Sequence, residues 1–109
     1  MILQETILRI PEISVVVPVY RNADTLQELH GRLCKALEGA GVSFEILFVD
    51  DACPAGSLGI LHDLVRSDPR VAVLALASNV GQHRAVLAGL DHARGERVVI
   101  LDADLQDPP

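Results

Sequence analysis

Short apolar strands and amphipathic helices alternate along this chain, and that alternation restricts the fold more than any other sequence feature. Four runs rich in β-branched residues have the length of buried strands, at 13–19, 44–49, 71–77 and 97–101. Strands separated by helical segments pair in parallel, because each crossover returns the chain to the same end of the sheet. The sequence therefore predicts an α/β, Rossmann-like fold: a mostly parallel sheet with helices on both faces.

Three helices are predicted between these strands. The first covers about 24–38, where Asp24 and Gln27 resemble a capping box and glycines beyond residue 38 provide a stop. The second begins near Ser57. The third runs over about 82–93, and its small residues, Gly89 among them, predict close packing against the sheet.

Charge and composition exclude several classes of protein. The 109 residues carry 9 basic and 15 acidic side chains, so the net charge is -6 and a nucleic-acid partner is not expected. No apolar run approaches the roughly 20 residues of a membrane span, and the first residues lack a signal-peptide pattern. Cys34 and Cys53 form no Cys-x-x-Cys pair, which favours reduced thiols in a cytoplasmic protein.

Polar residues gather where the four predicted strands end. In an open parallel sheet, ligands bind beyond the carboxyl ends of the strands, near the point where strand order reverses. The candidate binding residues, in chain order, are Pro18, Val19, Tyr20, Asn22, Asp50, Asp51, Asn79, Gln82, Asp102 and Asp104. Carboxylates placed this close together repel one another unless a cation neutralises them.

The segment after the fourth strand has the composition of a metal site. Side chains alternate along an extended chain, so Asp102, Asp104 and Gln106 share one side. Their hard oxygen ligands suit Mg²⁺ or Mn²⁺ and leave positions open for phosphate. The Asp-x-Asp pattern occurs by chance in many proteins, so its position at the end of a strand is what favours a metal site here.

The sequence lacks the motifs of several other kinds of ligand-binding site. The chain has no G-x-G-x-x-G after the first strand, and its only lysine, Lys35, lies inside a predicted helix rather than in a phosphate-binding loop. His30, His62 and His92 are expected on helix surfaces. His83 begins the third helix, where it could face a bound phosphate.

The residues at the strand ends resemble a known family. The segments are Ser-Val-Val-Val-Pro-Val-Tyr at 14–20, Phe-Val-Asp-Asp at 48–51, Asn-Val-Gly-Gln-His at 79–83 and Leu-Asp-Ala-Asp-Leu-Gln-Asp-Pro-Pro at 101–109. In this order and spacing they resemble family 2 glycosyltransferases of the GT-A fold. The most similar branch is the polyprenyl-phosphate (dolichol- or undecaprenyl-phosphate) hexosyltransferases.

The resemblance implies a function for each segment. Pro18, Val19 and Tyr20 would line a pocket for a nucleotide sugar (a UDP- or GDP-hexose), and Asp51 would accept a hydrogen bond from the base. The divalent cation would be held by Asp102, Asp104 and Gln106. Residues 21–22 are Arg-Asn where the family often has Asn-Glu, so the resemblance does not extend to that glutamate.

The resemblance also implies an organisation. Residues 1–12 form an N-terminal extension, and 13–109 form the donor-binding half of a GT-A domain, truncated after the Asp-x-Asp motif. The catalytic base and the polyprenyl-phosphate acceptor site would lie beyond Pro109, so the chain alone is expected to transfer no sugar. The full-length enzyme would work at the cytoplasmic face of a membrane.

Two other readings compete with this one. The first is a non-catalytic nucleotide-binding module. The second is a receiver-type signalling domain, which needs an acidic pair after strand one and a lysine after strand five; Tyr20 ends strand one, and Lys35 is the only lysine. Exposed edges of the sheet could also pair two copies into a homo-oligomer.

Overall fold

The computed structural model describes residues 10–20, 23–52 and 57–103. Its elements are β1 (Ile13–Val19), α1 (Leu26–Ala40), β2 (Phe44–Asp50), α2 (Ser57–Ser67), β3 (Val71–Ala75), α3 (Gln82–His92) and β4 (Arg97–Ile100). The predicted alternation of strands and helices is confirmed. Among these described helices, none combines the length and hydropathy needed to cross a bilayer.

The four strands form one parallel sheet in the order β3-β2-β1-β4. The chain moves outward from β1 to β2 and β3, then returns to place β4 on the other side of β1. Val19 pairs with Asp50, and Asp50 pairs with Ala75, so three strands end level with one another. The reversal of strand order therefore lies between β1 and β4, at an edge where three loops meet.

Alternate residues of β1 pack on opposite faces of the sheet. Val15, Val17 and Val19 join the larger apolar cluster, which contains residues of α1 and α2. Val16 joins the smaller cluster, which contains Ala85 of α3. Each such valine is almost fully buried, and burial of one apolar side chain contributes about 1.5–3 kcal/mol. Helices on both faces, as predicted, account for apolar residues on both sides of β1.

The smaller apolar cluster depends on a close approach of α3 to the sheet. A Cβ atom built on Gly89 would lie 2.5 Å from Cγ1 of Val16 and 3.0 Å from Cγ2 of Val49. Carbon atoms in contact are ordinarily about 3.5–4.0 Å apart. Glycine is therefore required for this spacing, which confirms the close packing predicted for the third helix.

Three predicted boundaries are wrong: both ends of the first helix and the end of the third strand. The residue that precedes α1 is Thr25, with no side-chain cap bond, so Asp24 and Gln27 do not form the predicted capping box. The Thr25 hydroxyl instead donates to the carbonyl of Ala103, which ties the start of α1 to the segment after β4. Strand β3 ends at Ala75, two residues early: the Leu76 N–H still donates to the carbonyl of Asp50, and the chain then bends at residues 77 and 78. Gly41, with φ 72°, ends α1 two residues later than predicted, whereas Gly39 lies inside the helix.

A polar network crosses the other end of the sheet. Glu45 of β2 accepts hydrogen bonds from the Ser14 hydroxyl and from the Arg94 N–H (2.8 Å), while Ser14 Oγ accepts from the Gly95 N–H (2.7 Å). Burial raises the pKa of Glu45, but the bonds from Ser14 and Arg94 outweigh it and lower that pKa. This network fastens the turn before β4 to the two central strands.

Strand β4 is the outermost strand on its side and pairs with β1 over four residues. Its apolar residues Val98, Val99 and Ile100 are 40–50% exposed. The pairing of two copies through such an edge stays a prediction.

Candidate functional site

A cleft of about 400 Å³ opens at the carboxyl ends of the strands, beside the reversal between β1 and β4. Every strand contributes to it, either through its last residues or through the loop that follows. The lining residues are Pro18, Val19, Tyr20, Asp51, Asn79, Gly81, Gln82, Asp102 and Ala103. This position is the one expected for a ligand site in an open parallel sheet.

Asp51 holds the loop between β3 and α3. Its two carboxylate oxygens accept the backbone N–H groups of Val80 (2.8 Å) and Gly81 (3.0 Å), and its own carbonyl accepts the Asn79 side-chain amide (3.1 Å). Asp51 is only 3% exposed. The geometry therefore assigns this carboxylate a positioning role, and since carboxylate oxygens have several lone pairs, a bond to a nucleotide base stays a prediction.

The start of α3 forms one wall of the cleft. Gly81 precedes the helix with φ 92°, a backbone conformation that glycine adopts without strain, and no side chain caps the first turn. The N–H groups and dipole of a helix start favour anions such as phosphate. Across the cleft, the Gln82 amide donates to Asp102 Oδ1 (2.9 Å). The cleft thus places a helix start, which would suit an anion, beside a carboxylate, which would suit a cation.

Most of the predicted binding residues come together. Pro18, Val19, Tyr20, Asp51, Asn79, Gln82 and Asp102 all line the cleft. Asp50 does not: it is 4% exposed and ends β2, where alternation turns neighbouring side chains to opposite sides. Asn22, Asp104 and Gln106 lie outside the described residues, so the predicted three-ligand metal site is described only at Asp102.

Two residues of the cleft were not predicted, and His83 is placed elsewhere. Gly81 and Ala103 contribute to the lining. Gly81 directly precedes a predicted helix, and that position was a usable signal. Nothing in the sequence singles out Ala103. His83 is exposed and does not line the cleft.

A second cluster lies at the far end of the sheet. His30 Nε2 is 2.8 Å from Asp68 Oδ2, and Cys34 Sγ lies 3.3 Å and 3.4 Å from these two atoms. The prediction that His30 is a surface residue is therefore wrong, whereas His62 and His92 are exposed as expected. The sequence signal was the spacing of His30 and Cys34, one helical turn apart.

Comparison with known proteins identifies the family. The family model described as glycosyl transferase family 2 matches residues 14–109. The chain belongs to glycosyl transferase family 2. This family 2 chain is 44% identical over 98 residues to the undecaprenyl-phosphate 4-deoxy-4-formamido-L-arabinose transferase of Edwardsiella ictaluri, a match covering 89% of the chain and 30% of the relative. It is 40% identical over 96 residues to the uncharacterized glycosyltransferase YkcC of Bacillus subtilis, covering 88% and 30%.

Solved structures agree with the GT-A fold. The mannosyltransferase PcManGT from Pyrobaculum calidifontis, in complex with GDP-Man and Mn²⁺, superposes with a TM-score of 0.74 at 25% identity, over 89% of this chain and 28% of that one. TarS 1-349 of S. aureus, in complex with UDP-GlcNAc, gives 0.72 at 28% identity, over 85% and 26%. The family 2 chain thus spans about 30% of the length of the curated relatives it matches.

Proposed function

We propose that the cleft binds the diphosphate and nucleoside of a nucleotide-sugar donor. We also propose that this segment, in a protein as long as its curated relatives, serves the transfer of a hexose to a polyprenyl phosphate. The single observation that carries the proposal is the convergence of all four strand ends on one cleft in a family 2 chain. The ligands of the similar structures, GDP-Man and UDP-GlcNAc, support a nucleotide sugar.

The two walls of the cleft suit the two parts of such a donor. Pro18 and Val19 form the buried base of one wall, and Tyr20, which is 41% exposed, presents the surface that can contact a base or ribose. The start of α3 on the opposite wall suits the diphosphate, because unpaired N–H groups and a positive dipole end attract anions. Asp51 fixes the loop that carries this helix start and thereby fixes the distance between the two walls.

Asp102 fits the divalent cation that the fold implies. Its carboxylate lines the cleft, and the described bond from Gln82 leaves it further acceptor positions for a hard cation. We propose that Asp102, Asp104 and Gln106 hold Mg²⁺ or Mn²⁺; the Mn²⁺ in the PcManGT complex supports this choice. A cation bound there offsets the charge of the departing nucleoside diphosphate.

The acceptor and the organisation belong to the same proposal. The undecaprenyl phosphate in the names of the relatives supports a polyprenyl-phosphate acceptor, which would bring the reaction to a membrane surface. We propose that residues 13–109 form the donor-binding part, and that the catalytic base lies outside it. The chain alone should then bind donor and transfer no sugar.

Calorimetry with UDP and GDP, each with and without Mn²⁺, tests the donor site. We expect Mn²⁺-dependent binding that Asp102→Asn weakens at least tenfold, since the variant keeps the shape of the side chain and loses its charge. Asp63→Asn is the matched control, because Asp63 is exposed on α2 and does not line the cleft. Equal binding by all three proteins, or binding independent of Mn²⁺, would contradict the proposal.

A transfer assay with lipid phosphate tests the organisation. Incubation of the chain with a UDP- or GDP-hexose, Mn²⁺ and undecaprenyl phosphate should give no glycolipid. Transfer by the chain alone would show that residues 13–109 include the catalytic base. A longer protein that binds donor and never transfers would support the non-catalytic nucleotide-binding module.

A further inference from the structure

The cluster of His30, Cys34 and Asp68 brings three metal-ligating atoms together, away from the cleft. His30 and Cys34 lie one turn apart on α1, and Asp68 directly follows α2. Asp68 precedes β3, at the end of the sheet opposite the carboxyl ends, and the cluster shares no residue with the cleft lining. Any role of this cluster is therefore separate from the proposed donor site.

The geometry differs from that of a cysteine nucleophile with its base. In a catalytic relay, the carboxylate and the nucleophile contact different nitrogens of the imidazole. Here Cys34 Sγ and Asp68 Oδ2 both approach Nε2 of His30, at 3.3 Å and 2.8 Å. Burial and the neighbouring Asp68 also raise the pKa of the Cys34 thiol to about 11, so the metal-free thiol is a poor nucleophile at neutral pH.

The same three atoms are spaced like the edges of a tetrahedral zinc site. With Zn–N and Zn–O near 2.0 Å and Zn–S near 2.3 Å, a tetrahedron has edges of about 3.3 Å between N and O and about 3.5 Å to sulfur. The distances from Sγ are 3.3 Å and 3.4 Å, and the Nε2–Oδ2 distance is 2.8 Å. A cation entering between the three atoms would need to separate one pair by about 0.5 Å.

The charges around the cluster balance for a divalent cation. Arg70 donates from Nε to Asp68 Oδ1 (2.9 Å) and from Nη2 to Oδ2 (3.1 Å), and its Nη1 pairs with Glu38 (2.9 Å). A cation of charge two plus the guanidinium is matched by the Cys34 thiolate and the two carboxylates. Arg70 also orients the Asp68 carboxylate, as hydrogen-bonding partners of metal ligands commonly do.

We propose that His30, Cys34 and Asp68 bind a thiophilic divalent cation, Zn²⁺, with a water completing the tetrahedron. A thiolate and an imidazole favour Zn²⁺ over the Mg²⁺ or Mn²⁺ that carboxylates and amides favour. On binding, the Cys34 S–H proton leaves to solvent as the S–Zn bond forms. The site joins the middle of α1 to the end of α2, so bound metal stabilises the contact between these helices.

Titration of the reduced chain with Co²⁺ tests the site, because a bound thiolate gives Co²⁺ a near-ultraviolet charge-transfer band that oxygen ligands do not give. We expect a band that saturates at one Co²⁺ per chain and disappears when Zn²⁺ is added. Cys34→Ser should abolish it. Cys53→Ser is the matched control and should retain it, as should Asp102→Asn. Absence of the band, or its survival in Cys34→Ser, would overturn the proposal.

A measurement on the unaltered chain covers the case in which Cys34→Ser fails to fold. Peptide mass mapping gives the rates at which iodoacetamide alkylates Cys34 and Cys53. Zn²⁺ should slow alkylation of Cys34 at least tenfold and leave Cys53 unchanged. Equal rates for Cys34 with and without Zn²⁺ would refute the site. Neither experiment uses nucleotide, so a negative result in either one would not bear on the proposed donor function.

Discussion

Replacement of Gly89 by alanine tests how closely α3 packs against the sheet. The new methyl carbon would lie 2.5 Å from Val16 Cγ1, about 1 Å less than an ordinary carbon–carbon contact, and 3.0 Å from Val49 Cγ2. Val16 is fully buried and, as a β-branched residue, is restricted in χ1, so it cannot easily move aside. The helix must shift, and overpacking of this kind costs about 1–3 kcal/mol.

Gly31→Ala is the matched control for this substitution. Gly31 also lies inside a helix, α1, and a Cβ atom there would meet nothing within 4 Å. Alanine contributes about 1 kcal/mol of helix propensity relative to glycine at either position. The difference between the two variants therefore isolates the steric cost. Because the new methyl group would contact both β1 and β2, we expect this steric cost to lie near the upper end of the usual range for overpacking, at about 2–3 kcal/mol.

Urea unfolding followed by circular dichroism measures both variants. Gly31→Ala should raise the midpoint, and Gly89→Ala should lower it, with the two midpoints separated by at least about 1 M. Combining Gly89→Ala with Val16→Ala should cost less than the sum of the two single changes, because the methyl group then has space. Equal stabilisation by both alanines would refute the described packing.

Two further predictions concern polar groups. Asp51→Asn keeps one carbonyl acceptor for the two N–H groups of Val80 and Gly81, so we expect the free energy of unfolding in urea to fall by about 1.5–3 kcal/mol. A decrease no larger than that of Asp63→Asn would contradict the role of Asp51 in positioning the loop before α3. The folded-state pKa of Glu45 is lowered, so its ionised form stabilises the fold above the unfolded value of about 4.3, and this stability is lost as pH falls through the folded pKa. Glu45→Gln should flatten the stability profile in that acidic range, and an unchanged slope there would show that the network does not favour the charged form.

The sheet was predictable because its signals are local. The apolar run of β1 needs cover on both faces, and strand–helix alternation makes the pairing parallel, so the strand ends had to meet at one edge. The meeting of the strand ends at one edge is enough to predict that Tyr20, Asp51 and Asp102 lie together. Asp50 was included by proximity alone. The period-2 alternation of strands would have separated it from Asp51.

The remaining contacts depend on how elements pack, which a local pattern does not record. Thr25 and Glu28 fit a T-x-x-E helix-start pattern that competes with Asp24 and Gln27, but no local pattern records the bond from Thr25 to Ala103, 78 residues later. His30 lies in a polar stretch of α1 typical of a surface, and only the packing of α2 brings Asp68 to it. The hydroxyl of Ser14 and the carboxylate of Glu45 are similarly hidden, because each lies in an otherwise apolar strand and is satisfied by the other.

The limited pairing of β4 has a consequence for ligand binding. Asp102 lies two residues beyond a strand that pairs over four residues and exposes its apolar side chains. We expect such an element to open locally at a lower free energy than the central strands, and an opening would remove Asp102 from the cleft. The measured affinity for metal and nucleotide is then the intrinsic affinity reduced by the fraction of chains in which β4 is closed. Ligand should accordingly slow amide hydrogen exchange in β4 more than in β2.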